Sequence, residues 1–303
     1  MKVSTVIHNP GAGAEKYTKE TLVSKMELLG YECRYSSTKK KGWKDIDADT
    51  DFIVIAGGDG TVRKVIKKLL DRKILRKRFP LALLPLGTAN NISKTLGISG
   101  EPEELAKSWK KEFIRRLDIG FIDGLDEPNF FIEGLGYGLF PTLMETMKEK
   151  DDKLFLSLDT EINYSLQILH EMILSYEPQD LQLEIDGVDY SGKFLLAEVM
   201  NIKSVGPNLE LAPNADPGDG RFEVIMVTEE QRNDFAEYIM NKLKGTETQF
   251  VPKSVIGTSI RMQANNTHIH IDDELIWVDD PAVIKIDVYE GLLKVFVPGQ
   301  AAE

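Results

Sequence analysis

The run Phe52-Ile53-Val54-Ile55-Ala56-Gly57-Gly58-Asp59-Gly60-Thr61 decides the fold. Residues 52–56 are apolar without a break, as expected of a parallel strand covered on both faces. After the turn, Val62, Val65, Ile66, Leu69 and Leu70 recur at helical spacing. The glycines between strand and helix let the backbone turn sharply and approach a ligand closely. A helix that starts there offers N–H groups and a partial positive charge, which suit phosphate. Asp59 says more than the glycines do. A turn does not require it, and a bare carboxylate beside phosphates would repel them. It makes sense if it holds Mg²⁺, directly or through water, because Mg²⁺ takes hard oxygen ligands and bridges phosphates.

Similar units flank this one. Residues 3–8 read as a short strand followed by the turn Asn9-Pro10-Gly11-Ala12-Gly13. Residues 14–29 carry Leu22, Met26 and Leu29 at helical spacing and stop at Gly30. Residues 31–35 read as a strand and 81–86 as a buried one. The latter is followed by Gly87-Thr88-Ala89-Asn90-Asn91 and a helix over 91–96. Strands alternating with helices imply a parallel sheet with right-handed crossovers. The three glycine-bearing loops then emerge at the carboxyl edge, where open α/β sheets bind ligands. None is a Walker A loop or a dinucleotide fingerprint.

From about residue 120 the texture changes. One long helical stretch, 153–176, interrupts segments that alternate apolar and polar residues: 181–185, 222–227, 259–262, 268–272 and 283–289. That pattern predicts mostly antiparallel β structure, a sandwich or flattened barrel. The expected division is 1–123 for an α/β nucleotide-binding domain and 124–291 for a β-rich substrate domain. The final strand, 292–298, is a candidate to return to the first.

Composition agrees with a two-domain globular chain. Its 303 residues are 42% hydrophobic and 28% charged. No apolar run approaches the roughly 20 residues that span a bilayer, and the first residues lack the apolar core of a signal peptide. Cys33 is the only cysteine, which excludes an internal disulfide or a cysteine zinc cluster and suits a cytoplasmic setting. A net charge of −12 argues against a nucleic-acid partner. Basic residues still gather over 63–78, with Arg63, Lys64, Lys67, Lys68, Arg72, Lys73, Arg76, Lys77 and Arg78 against Asp71. This is either a solvated helix face or a dock for anionic lipid headgroups.

Asn9-Pro10, Gly57-Gly58-Asp59-Gly60-Thr61 and Pro85-Leu86-Gly87-Thr88-Ala89-Asn90-Asn91 together resemble the catalytic domain of the diacylglycerol and sphingosine lipid kinases. Leu117-Asp118-Ile119-Gly120, the stretch from Phe130 to Gly138, Ala212-Pro213 to Asp219-Gly220, and Asp272-Asp273-Glu274 follow in the family's order. The resemblance spans nearly the whole chain, although NAD kinases share the aspartate loop. It implies a fold like that of the NAD and diacylglycerol kinases, an α/β domain followed by an antiparallel β-sandwich. It also implies transfer of the γ-phosphate of ATP, with Mg²⁺, to a lipid hydroxyl presented at a membrane surface. The enzyme would then be cytoplasmic or peripheral at the membrane, with a homodimer allowed for.

By the same resemblance ATP would be held by Asn9, Pro10, Gly11, Ala12, Gly13, Thr38, Gly57, Gly58, Gly60, Thr61, Gly87, Thr88 and Asn91. Asp59 and Asp118 would organise the catalytic Mg²⁺, Asp59 counting among the catalytic residues. Glu274 would be the base. Asp216, Asp219 and the carbonyl of Arg221 would form a second, structural metal site. The rivals are phosphorylation of a soluble acceptor in the manner of an NAD kinase, and a nucleotide sensor with little turnover.

The chain departs from the family pattern at several places. Asn91 stands where the family has Asp, Arg63-Lys64 where it has Asn-Glu, and Asp273 where it has Gly. Asp273 is expected to take the positive φ of that glycine, which Asp tolerates better than most residues. His268, His270 and Asp272 alternate and share one strand face, so zinc is a further alternative, without an evident fourth ligand. His8 and His170 show no partner in sequence and read as structural, and Phe155 and Tyr164 as core.

Overall fold

The computed structural model describes residues 1–13, 16–70, 79–148, 158–264, 266–278 and 282–299. The chain forms two compact units: Met1–Leu117 with the residues from Gly291 on, and Asp118–Glu290.

The first unit contains β1 (Lys2–His8), α1 (Lys19–Leu28), β2 (Tyr31–Ser37), β3 (Phe52–Gly57), α2 (Asp59–Leu70), β4 (Leu81–Pro85), α3 (Asn91–Thr95) and α4 (Pro102–Ser108). The strand β5 (Ile114–Asp123) begins at its end. β1 lies between β2 and β3 and is parallel to both, and β4 runs parallel beside β3. The order β2-β1-β3-β4 reverses direction between β1 and β3, the point at which such sheets leave a ligand crevice.

β3 is buried at every position, as its unbroken apolar run requires. Phe52 sets its ring edge-on against Tyr31 and Trp109, with centroids 5.5 and 5.9 Å away. Burying an aromatic or aliphatic side chain of this size contributes about 1.5–3 kcal/mol. α1 starts at Lys19, later than the apolar spacing suggested. Thr18 stops it there by accepting the N–H of Thr21 (3.3 Å), while the Thr21 hydroxyl accepts that of Thr18 (3.0 Å). Gly30 ends it with φ 87°.

The second unit follows with β6 (Phe130–Phe131), β7 (Gly134–Gly138), α5 (Leu139–Lys148), α6 (Leu158–Ser175), β8 (Gln179–Ile185), β9 (Val188–Asp189), β10 (Gly192–Phe194) and β11 (Leu196–Met200). Then come β12 (Ser204–Val205), β13 (Leu209–Glu210), β14 (Phe222–Val227), α7 (Arg232–Leu243), β15 (Lys253–Gly257), β16 (Ser259–Ala264), β17 (Thr267–Ile271), β18 (Glu274–Val278) and β19 (Ala282–Phe296).

One sheet has the antiparallel order β15-β14-β11-β7-β17-β18. The other, β10-β8-β16-β19, is also antiparallel. Leu135, Val199, Val224 and Met226 of the first meet Leu183, Ile260, Met262 and Ile284 of the second in a common core. This is the expected β-sandwich. β19 pairs with β16 over Ala282–Asp287 partners, and its last residues, Val295 and Phe296, pair with Leu81 and Ala82 of β4 in the first unit.

The sandwich carries a helical layer that alternation did not disclose. On the outer face of the first sheet, Leu196, Ile225 and Val227 pack with Leu169 and Ile173 of α6 and Phe235 and Ile239 of α7. β11 and β14 are therefore buried on both sides. Of the expected helix 153–176, residues 153–157, with Phe155, lie outside the described residues. Among the described residues no helix is long and apolar enough to cross a membrane.

Candidate functional site

The glycine-bearing loops of the first unit meet at the carboxyl ends of β1, β3 and β4. Asn9 Nδ2 donates to the Thr61 hydroxyl (3.3 Å), and the N–H of Asn9 to the carbonyl of Ala56 (2.9 Å). The N–H of Leu86 reaches the carbonyl of Gly57 (3.0 Å). Gly58 and Gly87 touch so closely that a Cβ on Gly87 would stand 2.4 Å from the Gly58 Cα. Only glycine fits this contact. Gly13, at φ 67°, crosses over the carbonyl of Leu86, where a Cβ would lie 2.8 Å from the oxygen. Thr38 follows the end of β2, its N–H on the carbonyl of His8 (2.9 Å).

Asp59 opens α2 half-buried, with both oxygens engaged: Oδ2 accepts the N–H of Asn91 (2.8 Å) and Oδ1 that of Ile92 (3.1 Å). Asn90, at φ 49°, turns the chain to present those amides. The family's aspartate position, held here by Asn91, thus meets Asp59 through its backbone. Thr88 stands exposed at the tip of this loop, Gly60 is exposed, and Thr61 is buried. Lys39 belongs to no motif in the sequence; its Nζ lies over the Asn9–Gly13 turn, 3.7 Å from where a Gly11 Cβ would be.

The basic stretch divides. Arg63 is buried, Lys64 is exposed, with its Nζ 5.7 Å from the Trp43 ring centroid, and Lys67 and Lys68 are half-buried. Asp71, Arg72, Lys73, Arg76, Lys77 and Arg78 lie outside the described residues. His8 has a partner after all: its Nδ1 is 2.9 Å from the Tyr35 hydroxyl. Burial pushes its pKa down, favouring a neutral ring.

In the second unit Asp118, wholly buried at the start, joins the loop that carries Asp216, Asp219 and Arg221. Its N–H donates to the carbonyl of Pro217 (2.6 Å), and its Oδ2 accepts the N–H of Gly220 (2.8 Å). Asp216 Oδ1 accepts from Gly218 (3.1 Å) and Asp219 Oδ1 from Arg221 (3.0 Å). Among the described residues no three His, Cys, Asp or Glu side chains are grouped to hold a metal.

Glu274 begins β18 half-buried, just after the turn Asp272-Asp273. The positive φ sits on Asp272 (51°), not on Asp273 as expected. The Asp272 carboxylate explains the exchange. It accepts the N–H groups of Ile132 (3.1 Å), Glu133 (2.8 Å) and Gly134 (3.2 Å), which hold the turn from below. Asn201 links this turn to Asp118: its Nδ2 donates to the carbonyls of Asp118 (3.0 Å) and Ile132 (2.8 Å). The histidines separate. His268 pairs with Glu145 (3.3 Å), and His270 with Glu198 (2.9 Å). Asn201, Glu198 and the amide cradle of Asp272 carried no motif by which to find them.

Residues 4–122 match the model of the diacylglycerol kinase catalytic domain. Residues 147–297 match the YegS C-terminal NAD kinase beta sandwich-like domain. A diacylglycerol kinase of Bacillus subtilis (strain 168) is 30% identical over 254 residues, 81% of this chain and 80% of the relative. The chain belongs to the diacylglycerol kinase family.

Solved structures agree on the fold of this kinase family member. A candidate diacylglycerol kinase from Bacillus anthracis str. Sterne superimposes with a TM-score of 0.75 at 24% identity, covering 97% of this chain and 94% of the other. An NAD kinase from Archaeoglobus fulgidus in complex with ATP gives 0.56 at 16% identity, covering 98% and 94%.

Proposed function

We propose that the protein transfers the γ-phosphoryl group of ATP to the hydroxyl of a lipid. The observation that carries this reading is the junction of the loops after β1, β3 and β4, where Asn9 meets Thr61, Gly58 meets Gly87 and Asp59 meets Asn91. Phosphoryl transfer depends mainly on alignment and on neutralising charge. This junction offers glycine backbone, the first turn of α2 and Lys39 to a phosphate chain, with Asn9, Pro10, Gly11, Ala12, Gly13, Thr38, Thr88 and Asn91 around it.

The donors fit a Mg²⁺ that enters with the nucleotide. Asp59 offers a hard carboxylate oxygen at the first turn of α2, beside the glycine loops, which is the donor chemistry that Mg²⁺ takes. Mg²⁺ commonly needs only one or two carboxylates besides the phosphates. Asp59 would hold it, and the ion would supply charge neutralisation at the phosphates. At Asp216, Asp219 and Arg221 the turn's own amides take one oxygen of each carboxylate, and no step is assigned to a second ion.

Glu274 is the proposed base. As the acceptor oxygen bonds to the γ-phosphorus and the bond to the bridging oxygen of ADP breaks, the hydroxyl proton passes to the Glu274 carboxylate. An alcohol needs that help, being a poor nucleophile.

The test is to incubate the protein with Mg²⁺, labelled ATP and detergent-dispersed diacylglycerols, monoacylglycerols and sphingoid bases, beside Glu274→Gln. A labelled lipid that disappears in the variant is expected. ATP binding without any lipid product would overturn the reading; NAD would then be offered as acceptor, since the fold is shared with an NAD kinase.

A further inference from the structure

We propose that the buried Glu198–His270 pair aims Glu274. His270 holds the peptide that turns the chain into β18, and so acts as a positioning residue that touches no substrate. The inference rests on the reading of Glu274 as base.

The turn leaves little freedom. Ile271 and Glu274 are paired across it, so the entry of Glu274 into β18 depends on the turn through Asp272 and Asp273. Asp272 adopts φ 51°, a conformation that costs any residue but glycine some strain, less for Asp than for most, and that its surroundings hold in place. They enforce it from three sides. Its N–H donates to the carbonyl of Gly134 (2.8 Å), and its carboxylate sits on the amides of Ile132, Glu133 and Gly134. Its carbonyl lies 3.1 Å from His270 Nδ1.

A carbonyl only accepts, so His270 Nδ1 carries a hydrogen and donates it to Asp272. The other nitrogen, Nε2, stands 3.1 and 2.9 Å from the two oxygens of Glu198. Nε2 and the carboxylate therefore share a proton, and the ring cannot turn without breaking both ends. Glu198 is 0% and His270 3% exposed in the side chain. Burial disfavours a charge on His270, but the Glu198 charge and hydrogen bond and the Asp272 carbonyl outweigh it and hold its pKa above the ordinary value.

The neighbours point to support rather than catalysis. β7 gives up a side chain at Gly136 to admit the pair, since a Cβ there would lie 1.9 Å from Glu198 Oε1. Phe140 of α5 faces the imidazole edge-on, with centroids 6.4 Å apart, while Glu145 of that helix is taken by His268. The space beside the pair, lined by Glu133, Met200 and Ser204 among others, is a cavity of about 30 Å³. That is room on the scale of ordered water. A buried ion pair is seldom justified by stability alone.

Two double variants separate positioning from bulk. Glu198→Gln with His270→Asn keeps a side-chain N–H where Nδ1 donates to Asp272. Glu198→Gln with His270→Gln moves it toward position 198 and frees the carbonyl. Both remove the buried charges, and thermal melting establishes that both fold. The second is expected to lose up to about 100-fold in kcat with KM for ATP and lipid unchanged, and the first to recover most of it. Equal kcat in the two, with Glu274→Gln inactive, overturns the positioning role and leaves the base reading intact. Normal turnover by Glu274→Gln overturns both. Should either double variant fail to fold, the nitrogen NMR spectrum of the wild-type His270 ring decides. A proton on Nδ1 throughout the folded pH range supports the tether, and an Nδ1 without one overturns it.

Discussion

The carboxylate of Asp59 accepts the backbone N–H groups of Asn91 (2.8 Å) and Ile92 (3.1 Å), so the aspartate of one glycine loop holds the shape of the next. The residue proposed to meet Mg²⁺ also ties together the loops that would surround the nucleotide.

Asp59→Asn should therefore lose more than a ligand. An amide retains one acceptor oxygen and turns an NH₂ group toward the second N–H. Hydrogen bonds to a charged group contribute roughly 1.5–3 kcal/mol. A loss of about 2 kcal/mol in urea unfolding is expected together with loss of kinase activity. Unchanged stability with lost activity would show that the amide contacts do not hold the loop.

Gly87→Ala tests the loop contact itself. The new Cβ would lie 2.4 Å from the Gly58 Cα and 2.9 Å from Asn90 Oδ1, and a backbone atom cannot swing aside as a side-chain end can. Forced separation of well-packed groups costs about 1–3 kcal/mol. ATP affinity, measured by calorimetry, should fall by about tenfold or more, since displacement of binding groups by even ~1 Å is costly. Wild-type affinity would show that the two loops bind nucleotide independently.

What the sequence disclosed and what it hid differ in physical kind. β3 was legible because a strand covered on both faces needs an unbroken apolar run, and Gly57–Thr61 because a turn against another backbone needs glycine. β14 is also buried on both faces; of the helices that cover it, α6 falls within the helical stretch that the sequence discloses, whereas α7 lies where the sequence pattern suggests only strands. Within the site, Glu198, Asn201 and Asp272 act across long chain separations, Asp272 binding amides 138 to 140 residues away. No local period or spacing records such a contact. The resemblance points to Asp273 for the positive φ because that position replaces the family's glycine; the amides under Asp272 place it one residue earlier.

Gly136→Ala should be among the most damaging single-methyl additions in the second unit. Its Cβ would lie 1.9 to 2.2 Å from the Glu198 carboxylate atoms. Glu198 has no exit, being fully buried against His270. Breaking a buried pair costs about 3–5 kcal/mol, and a drop of that order is expected in denaturant unfolding. A loss below about 1 kcal/mol would mean that the pair moves freely, against the rigidity described for it.

Glu223 provides the pH dependence. It is 8% exposed on β14, with one carboxylate oxygen lacking a hydrogen-bond partner. Burial raises its pKa, partly offset by a hydrogen bond to Ser254. In the unfolded chain a glutamate releases its proton near about 4.3. Above that pH the unfolded state has lost the proton while the folded state still holds it. The stabilisation from this group is therefore complete below the unfolded value and is lost as pH rises through the folded one. Glu223→Gln cannot ionise and escapes that loss. Urea midpoints taken from about pH 4 to about pH 8 should show no charge-linked difference at the acid end and a growing advantage for the variant toward neutrality. A difference that stays constant with pH would mean that Glu223 ionises as readily in the folded protein as in the unfolded chain.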